Sequence, residues 1–109
     1  MADISLRSEE NEQAQNNLKA LENKQEMAAS LYQQGEQYYS NQEYGKAVEC
    51  FRRSAELGDA EGQYGLGVCY AEGTGVEKNE QEAVKWYRKA AEWGDAAAQK
   101  HLRRLGQTW

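Results

Sequence analysis

The sequence repeats itself at a distance of 36 residues, and this regularity constrains the fold more than any other feature. When residues 47–63 are aligned with residues 83–99, 9 of the 17 positions carry the same amino acid. These positions are Ala47/Ala83, Val48/Val84, Arg52/Arg88, Ala55/Ala91, Glu56/Glu92, Gly58/Gly94, Asp59/Asp95, Ala60/Ala96 and Gln63/Gln99. A fixed period of about 20 to 50 residues is typical of stacked copies of one supersecondary unit. Each copy is therefore predicted to be one unit that buries its apolar face against its neighbours.

Both copies have the residue spacing of an amphipathic helix. Small and apolar residues fall at i, i+4, i+7 and i+8, which is one face of a helix. They are Ala47, Phe51, Ser54 and Ala55 in the first copy and Ala83, Tyr87, Ala90 and Ala91 in the second. The alanine that begins each set allows close approach of a neighbouring helix, and the ring four residues later fills the space between them. The chain has no proline, which also favours helices.

A glycine followed by an aspartate closes each of these helices. Gly58 and Gly94 suit the left-handed conformation in which helices commonly end. Asp59 and Asp95 come next, and aspartate is a strong N-cap for a following helix. Two helices are therefore predicted to join with almost no linker, which requires tight packing between them.

The helix before each of these also has a pattern of its own. Its members are Leu31, Gly35, Tyr38 and Tyr39, which recur in altered form as Gln63, Leu66, Gly67 and Tyr70. A glycine inside a helix costs about 1 kcal/mol relative to alanine and usually marks a close helix contact. Gly35 and Gly67 are therefore predicted to contact the second helix of their own hairpin.

These residues resemble two related repeat families. Gly35, Tyr38, Ala47, Phe51 and Ser54 are arranged as in the tetratricopeptide repeat, a helix–turn–helix unit of about 34 residues.

The second copy is similar to the Sel-one-like repeat, a relative of the tetratricopeptide repeat with a longer loop between its helices. The similarity covers residues 59–70, the loop Gly73-Thr74-Gly75-Val76 and residues 82–91. Glu77 stands where a proline often follows this loop, and Asn79 stands where aspartate is usual. Asn79 and Glu82 still have the spacing of a capping box, which predicts a helix start.

The resemblance implies an all-α fold, an α-solenoid of antiparallel helix pairs like the tetratricopeptide and Sel-one-like superhelices. It divides the chain into a polar N-terminal helix or flexible arm (1–26) and a repeat domain (27–109). Within the repeat domain, residues 27–58 would be a tetratricopeptide-like repeat, residues 59–94 a Sel-one-like repeat, and residues 95–109 a C-terminal capping helix.

Residues 1–26 carry a thin apolar stripe, which allows three interpretations. Ala14, Leu18, Leu21 and Ala28 lie near a 3.5-residue period that Gln25 interrupts. The segment is predicted to be a helix that lies against the first repeat, a disordered arm, or one strand of a two-chain coiled coil. The first is favoured.

Charge and composition exclude several classes of function. The net charge of −5 argues against nucleic-acid binding through phosphate contacts. No run approaches the roughly 18 apolar residues of a membrane span, so no membrane partner is expected. A signal peptide is not visible, which favours a cytoplasmic protein, although removal of a leader during export would leave the same sequence.

Catalytic chemistry has no positive support in the sequence, and no cofactor or metal is expected. Cys50 and Cys69 match no zinc spacing, and His101 is the only imidazole. A Cys69–His101 dyad stays open on sequence grounds, but Cys69 lies between Val68 and Tyr70 on an apolar face, which favours a core thiol. The sequence thus predicts a protein that is not an enzyme.

The family resemblance also implies where a partner would bind, because the first helix of each hairpin lines the concave side of a solenoid. The corresponding positions are Ala29, Tyr32, Glu36 and Tyr39 in the first unit, Glu61, Tyr64, Val68 and Ala71 in the second, and Lys100 and Arg104 in the terminal helix. In the alternative interpretation, Tyr32 and Tyr64 pack against the next hairpin. The remaining large rings are assigned to packing: Tyr38, Phe51, Tyr70, Trp86 and Tyr87.

The favoured function is a non-catalytic adaptor that binds a peptide or a protein surface in this groove. Two units and a cap are few for an array that usually needs about three repeats. The alternatives are therefore a self-assembling homo-oligomeric module, with Trp93 and Trp109 as contact candidates, and a fragment of a longer array.

Overall fold

The computed structural model describes the backbone of residues 3–109 and the side chains of residues 10–109, and its regular elements are all α-helices. The five helices are α1 (Asp3–Ser40), α2 (Tyr44–Glu56), α3 (Ala60–Glu72), α4 (Glu80–Glu92) and α5 (Ala96–Arg104). Helix α1 packs against α2, α3 against α4, and α5 against α4, while α2 and α3 join the two hairpins. The predicted all-α solenoid is confirmed.

Small residues at the helix contacts hold the hairpins together. Ala47 and Ala83 are fully buried at the starts of α2 and α4. Gly35 of α1 lies against the ring of Phe51, and Gly67 of α3 lies against the ring of Tyr87. These are the four positions at which the repeat pattern predicts close approach. One buried cluster forms around Phe51 and a second around Tyr87.

The predicted helix ends are present in both units. Gly58 and Gly94 have φ angles of 93° and 91°, and the hydrogen bonds around them form the Schellman pattern. The Asp59 carboxylate then accepts from the Gly62 N–H at 2.9 Å, and Asp95 does the same for Ala98. Each hairpin therefore follows the previous one after a single short turn.

The start of α4 uses half of the predicted capping box. The Asn79 side chain accepts from the Glu82 N–H at 3.1 Å. The Asn79 N–H donates to the Tyr70 carbonyl at 2.9 Å and not to the Glu82 side chain. The backbone of α3 thus supplies the acceptor that a capping box takes from its glutamate.

The loop between α3 and α4 fastens the second hairpin to the first. Gly73 ends α3 in the left-handed conformation with φ 73°. Gly75 has φ 76°, and a side chain there would meet the Tyr44 carbonyl of α2. Val76 packs against the first core cluster. Only glycine can occupy position 75, because it combines a positive φ with backbone contact.

The N-terminal part of α1 does not lie against the first repeat, so that favoured expectation is wrong. Every side chain from residue 10 to residue 27 is exposed, including Leu18 and Leu21, and burial begins at Ala28. The apolar stripe is too thin to compensate for desolvating its polar neighbours. The backbone from Asp3 onward is nevertheless one continuous helix, while residues 1 and 2 lie outside the described residues. The predicted boundaries of the N-terminal segment and of the repeats stay predictions, and so does the two-chain coiled coil of residues 1–26.

Helix α5 packs against the second hairpin through one face only. Ala98 and Leu102 are fully buried against the second hairpin, whereas Lys100, Arg103 and Arg104 on the outer face are exposed. An apolar inner face with a basic outer face suits a capping helix, and the capping role of residues 95–109 stays a prediction.

Candidate functional site

A cavity of about 370 Å³ opens between α1 and α3, and its floor is a ring of α2. We call it the groove cavity. Its lining residues are Tyr32, Glu36, Tyr39, Ser40, Phe51, Tyr64, Gly65 and Val68. Five of the ten predicted groove positions, Tyr32, Glu36, Tyr39, Tyr64 and Val68, therefore come together in one concave site. Aromatic walls with a few polar groups are typical of recognition pockets.

Tyr32 forms one wall of the groove cavity and is half-buried. Its ring lies 5.7 Å from the ring of Phe51, and its hydroxyl donates to Glu36 Oε1 at 2.6 Å. Burial, together with this carboxylate, raises the pKa of the Tyr32 hydroxyl above its usual range. Tyr32 thus lines the cavity, and its ring packs against Phe51 of its own hairpin. Packing against the next hairpin, the alternative interpretation, stays a prediction.

Tyr39 connects the two helices at one end of the groove cavity. Its hydroxyl donates to Glu72 Oε2 of α3 at 3.2 Å. The ring meets Tyr44 edge-on, with centroids 5.0 Å apart. Burial and the charge of Glu72 raise the pKa of this hydroxyl. A carboxylate therefore stands beside this end of the cavity.

Tyr64 is held in place by a cluster that sequence reasoning missed. Its hydroxyl is 3.2 Å from His101 Nε2, and its ring lies 5.9 Å from the ring of Tyr87. The His101 ring stacks on Tyr87, with centroids 5.1 Å apart and an interplanar angle of 6°. His101 therefore positions a groove tyrosine from α5, a role that no repeat position indicates.

A second, smaller cavity of about 220 Å³ adjoins the groove cavity. It is lined by Ala29, Tyr32, Gln33, Glu36, Asp59 and Glu61, and we call it the acidic cavity. Burial raises the pKa of Glu61, and the charges of Asp59, Glu36 and Asp95 raise it further. Glu61 thus belongs to the predicted groove, but it lines the neighbouring cavity.

The two predicted basic residues of the groove are elsewhere. Lys100 and Arg104 are exposed on α5, and neither lines the groove cavity or the acidic cavity. Arg104 is close enough to Tyr64 for its charge to act on that hydroxyl, where it opposes the upward shift of the pKa by burial. Ala71 is half-buried and packs against the second core cluster.

Comparison with known families decides where the chain belongs. The model of the Sel1 repeat matches residues 25–59 and residues 60–95, which together are most of the chain. The chain belongs to the Sel1 repeat family. The first unit, which was expected to be of tetratricopeptide type from the arrangement of Gly35, Tyr38, Ala47, Phe51 and Ser54, matches the same repeat as the second.

Two curated proteins share part of this Sel1 repeat sequence. The rat (Rattus norvegicus) protein DAP3-binding cell death enhancer 1 is 47% identical over 60 residues, which are 55% of this chain and 12% of that protein. An F-box protein of Arabidopsis thaliana is 45% identical over 49 residues, which are 45% of this chain and 13% of that protein. The matched region is thus about an eighth of each relative.

A solved structure agrees with the solenoid described above. A Sel1 repeat protein from Oxalobacter formigenes superposes with a TM-score of 0.71 at 34% identity, over 72% of this chain and 24% of that chain. Sel1 repeats generally mediate protein–protein interactions, and the proteins that contain them are typically non-catalytic scaffolds.

The thiols of this Sel1 repeat protein belong to its core. Cys50 and Cys69 are free and buried, and burial raises the pKa of both thiols, which disfavours the reactive thiolate. His101, the partner considered for Cys69, instead contacts Tyr64 and Tyr87. Among the described residues, no group of His, Cys, Asp and Glu could hold a metal ion.

Every helix among the described residues is either too short or too polar to span a lipid bilayer.

Sequence reasoning also missed three lining residues of the groove cavity. Phe51 was assigned to packing alone, yet the same buried ring forms the cavity floor. Ser40 and Gly65 complete the lining. Gly65 lies one turn of α3 before Cys69, next to Tyr64 and three residues before Val68. This spacing places it on the same face as Tyr64 and Val68 and could have predicted it as a lining residue.

Proposed function

We propose that this Sel1 repeat protein is an adaptor that binds an extended segment of another protein in the groove cavity. The observation that carries the proposal is the cavity itself, in which the rings of Tyr32, Tyr39, Phe51 and Tyr64 face one concave space. Tyrosine rings give a large contact area with little loss of side-chain entropy and are enriched among the residues that dominate binding energy. The name of the rat relative says that it binds another protein, which agrees with this proposal.

The test uses two neighbouring tyrosines of the same helix. Tyr39 lines the groove cavity, whereas Tyr38 is half-buried outside it, beside Lys46. Peptides are first selected from a random library on the full chain, and their affinities are then measured for Tyr39→Ala and Tyr38→Ala. We expect Tyr39→Ala to weaken binding by about tenfold or more, as for a central aromatic contact, and Tyr38→Ala to have little effect.

Thermal unfolding of both variants provides the control, since each loses one half-buried phenol. The selected peptides should also shift the NMR signals of the Tyr32 and Tyr64 rings. If no peptide is recovered, or if Tyr38→Ala and Tyr39→Ala weaken binding equally, the groove cavity is not the binding site.

Self-association is a second candidate, and the exposure of Trp93 favours it. The indole is 72% exposed and lies beside a cavity of about 350 Å³ that Ala28 and Leu57 also line. The exposed indole and the apolar residues beside it are therefore a candidate contact surface. Light scattering over a range of concentrations tests this candidate, because a homo-oligomer should revert to monomers with Trp93→Ser.

A further inference from the structure

The groove cavity and the acidic cavity form one continuous binding surface. They share Tyr32 and Glu36, whose side chains are hydrogen-bonded to each other at 2.6 Å. One bound segment can therefore occupy both cavities. The chemistry of both cavities decides which segment fits.

The charged side chains that line this surface are all acidic, although Arg104 lies near enough to act on the Tyr64 hydroxyl. Glu36, Asp59 and Glu61 line the two cavities, and no lysine, arginine or histidine does so. Glu72 adds a further carboxylate at the opposite end, where it accepts from Tyr39.

The carboxylates of the acidic cavity have no positive partner in the described part of the chain. The salt bridge found within residues 10–109 joins Lys46 to Glu43, away from the groove. Burial raises the pKa of Glu61, and the neighbouring negative charges of Asp59 and Glu36 raise it further. A positive charge placed between these groups would relieve that repulsion.

The rings favour the same kind of ligand. The face of a tyrosine ring attracts a cation that lies within about 6 Å of its centroid. Tyr32 lines both cavities, so its ring can contact an apolar side chain and a neighbouring cation at once. The groove cavity, at about 370 Å³, has room for one large apolar side chain.

Building on the proposed function, we infer that the partner segment is an extended basic peptide. One large apolar side chain of the segment occupies the groove cavity. An adjacent lysine or arginine lies in the acidic cavity and pairs with Glu36 and Glu61. An acidic segment would instead place like charges together without a compensating cation.

The residue composition of the selected peptides tests the inference separately from the proposed function. We expect peptides whose binding depends on Tyr39 to be enriched in lysine and arginine next to one leucine, phenylalanine or tryptophan, and depleted in aspartate and glutamate. Peptides that depend on Tyr39 but are acidic or uncharged would overturn the inference and leave the proposed function intact. Recovery of no Tyr39-dependent peptide would overturn both.

A matched pair of charge variants gives the second measurement. Glu36→Gln combined with Glu61→Gln removes two carboxylates of the binding surface. Glu49→Gln combined with Glu56→Gln removes two exposed carboxylates of α2 that line neither cavity. Both double variants change the net charge of the chain equally, so a general effect of charge would appear in both.

Peptide affinity is then compared at low and high salt. We expect the groove variant to bind the selected basic peptide about three- to tenfold more weakly at low salt, because exposed ion pairs contribute modestly. The α2 variant should bind almost as tightly as the natural sequence, and high salt should narrow the difference. Equal affinities of the two double variants at low salt would overturn the inference.

Discussion

Gly35 lies so close to Phe51 that a β-carbon at position 35 would stand 2.6 Å from Cε1 of the ring. The same relationship recurs in the second hairpin, where a β-carbon at Gly67 would stand 2.8 Å from the Tyr87 ring. Carbon atoms normally meet at about 3.5–4.0 Å. Each glycine is thus required by the ring that faces it, and the spacing of each hairpin depends on this contact.

Replacing either of these glycines with alanine should destabilise the protein. Gly35→Ala or Gly67→Ala forces a buried ring to move, and such overpacking costs about 1–3 kcal/mol. Gly45→Ala in α2 is the control, because nothing lies within 4 Å of its added β-carbon. Alanine should be neutral there or add up to about 1 kcal/mol through its helix propensity. Urea unfolding measures all three variants, and equal effects would show that the close contacts do not set the stability.

The helix ends were predictable from the sequence because their signals are local. Gly58 and Gly94 stop their helices through their own φ angles, and Asp59 and Asp95 cap the next helix through an N–H three residues ahead. None of these interactions needs information from outside one helical turn. The close contacts were predictable for a related reason, since the repeat places each glycine at a constant distance from its ring.

The groove cavity was predictable only in part. The family resemblance placed Tyr32 and Tyr64 in the groove, and both residues line the cavity. The contacts of α5 depend instead on how this single helix is rotated about its axis against α4. The chain has no second copy of α5 from which that rotation could be predicted. For this reason Lys100 was placed in the groove and the stacking of His101 on Tyr87 was missed.

Ser54 and Gly62 pack together in the first unit, where the second unit has Ala90 and Ala98 in a shared buried cluster. A β-carbon at position 62 would collide with the Ser54 side chain. Gly62→Ala should therefore cost about 1–3 kcal/mol by overpacking. Ser54→Ala should cost about 1 kcal/mol, because it removes the 2.7 Å hydrogen bond to the Ala28 carbonyl.

Ser54→Ala combined with Gly62→Ala recreates the alanine pair of the second unit. This double variant should therefore be about 0.5–2 kcal/mol more stable than the sum of the two single effects implies. Recovery should stay incomplete, since the Ala55 backbone nitrogen lies 2.9 Å from the added β-carbon. Ser54→Ala combined with Gly45→Ala is the additive control. If the single effects on the free energy of unfolding add in both double variants, the direct contact between Ser54 and Gly62 is contradicted.

Stability should fall at alkaline pH, and Tyr87 should account for part of the fall. Burial raises the pKa of its hydroxyl well above the ordinary value of 10.0. The unfolded chain releases this proton near pH 10 while the folded chain retains it, so the stabilisation is fully present below pH 10 and is lost as pH rises further. Between pH 8 and pH 11, the free energy of unfolding should fall by roughly 1.4 kcal/mol less in Tyr87→Phe than in the natural sequence. Urea unfolding at both pH values tests this, and parallel losses would contradict it.

Helix α1 should consist of two parts whose amides differ in protection from hydrogen exchange, although the backbone of the helix is continuous. Residues 10–27 are exposed on all sides, whereas Ala28 and Leu31 are buried against the first hairpin. A helix without tertiary packing is marginal in water, so amides of residues 10–24 should exchange with solvent far faster than those of residues 31–40. Hydrogen exchange measured at low protein concentration tests this directly. Uniform protection that appears only at high concentration would instead indicate that the stripe of Leu18 and Leu21 pairs with a second copy of the chain.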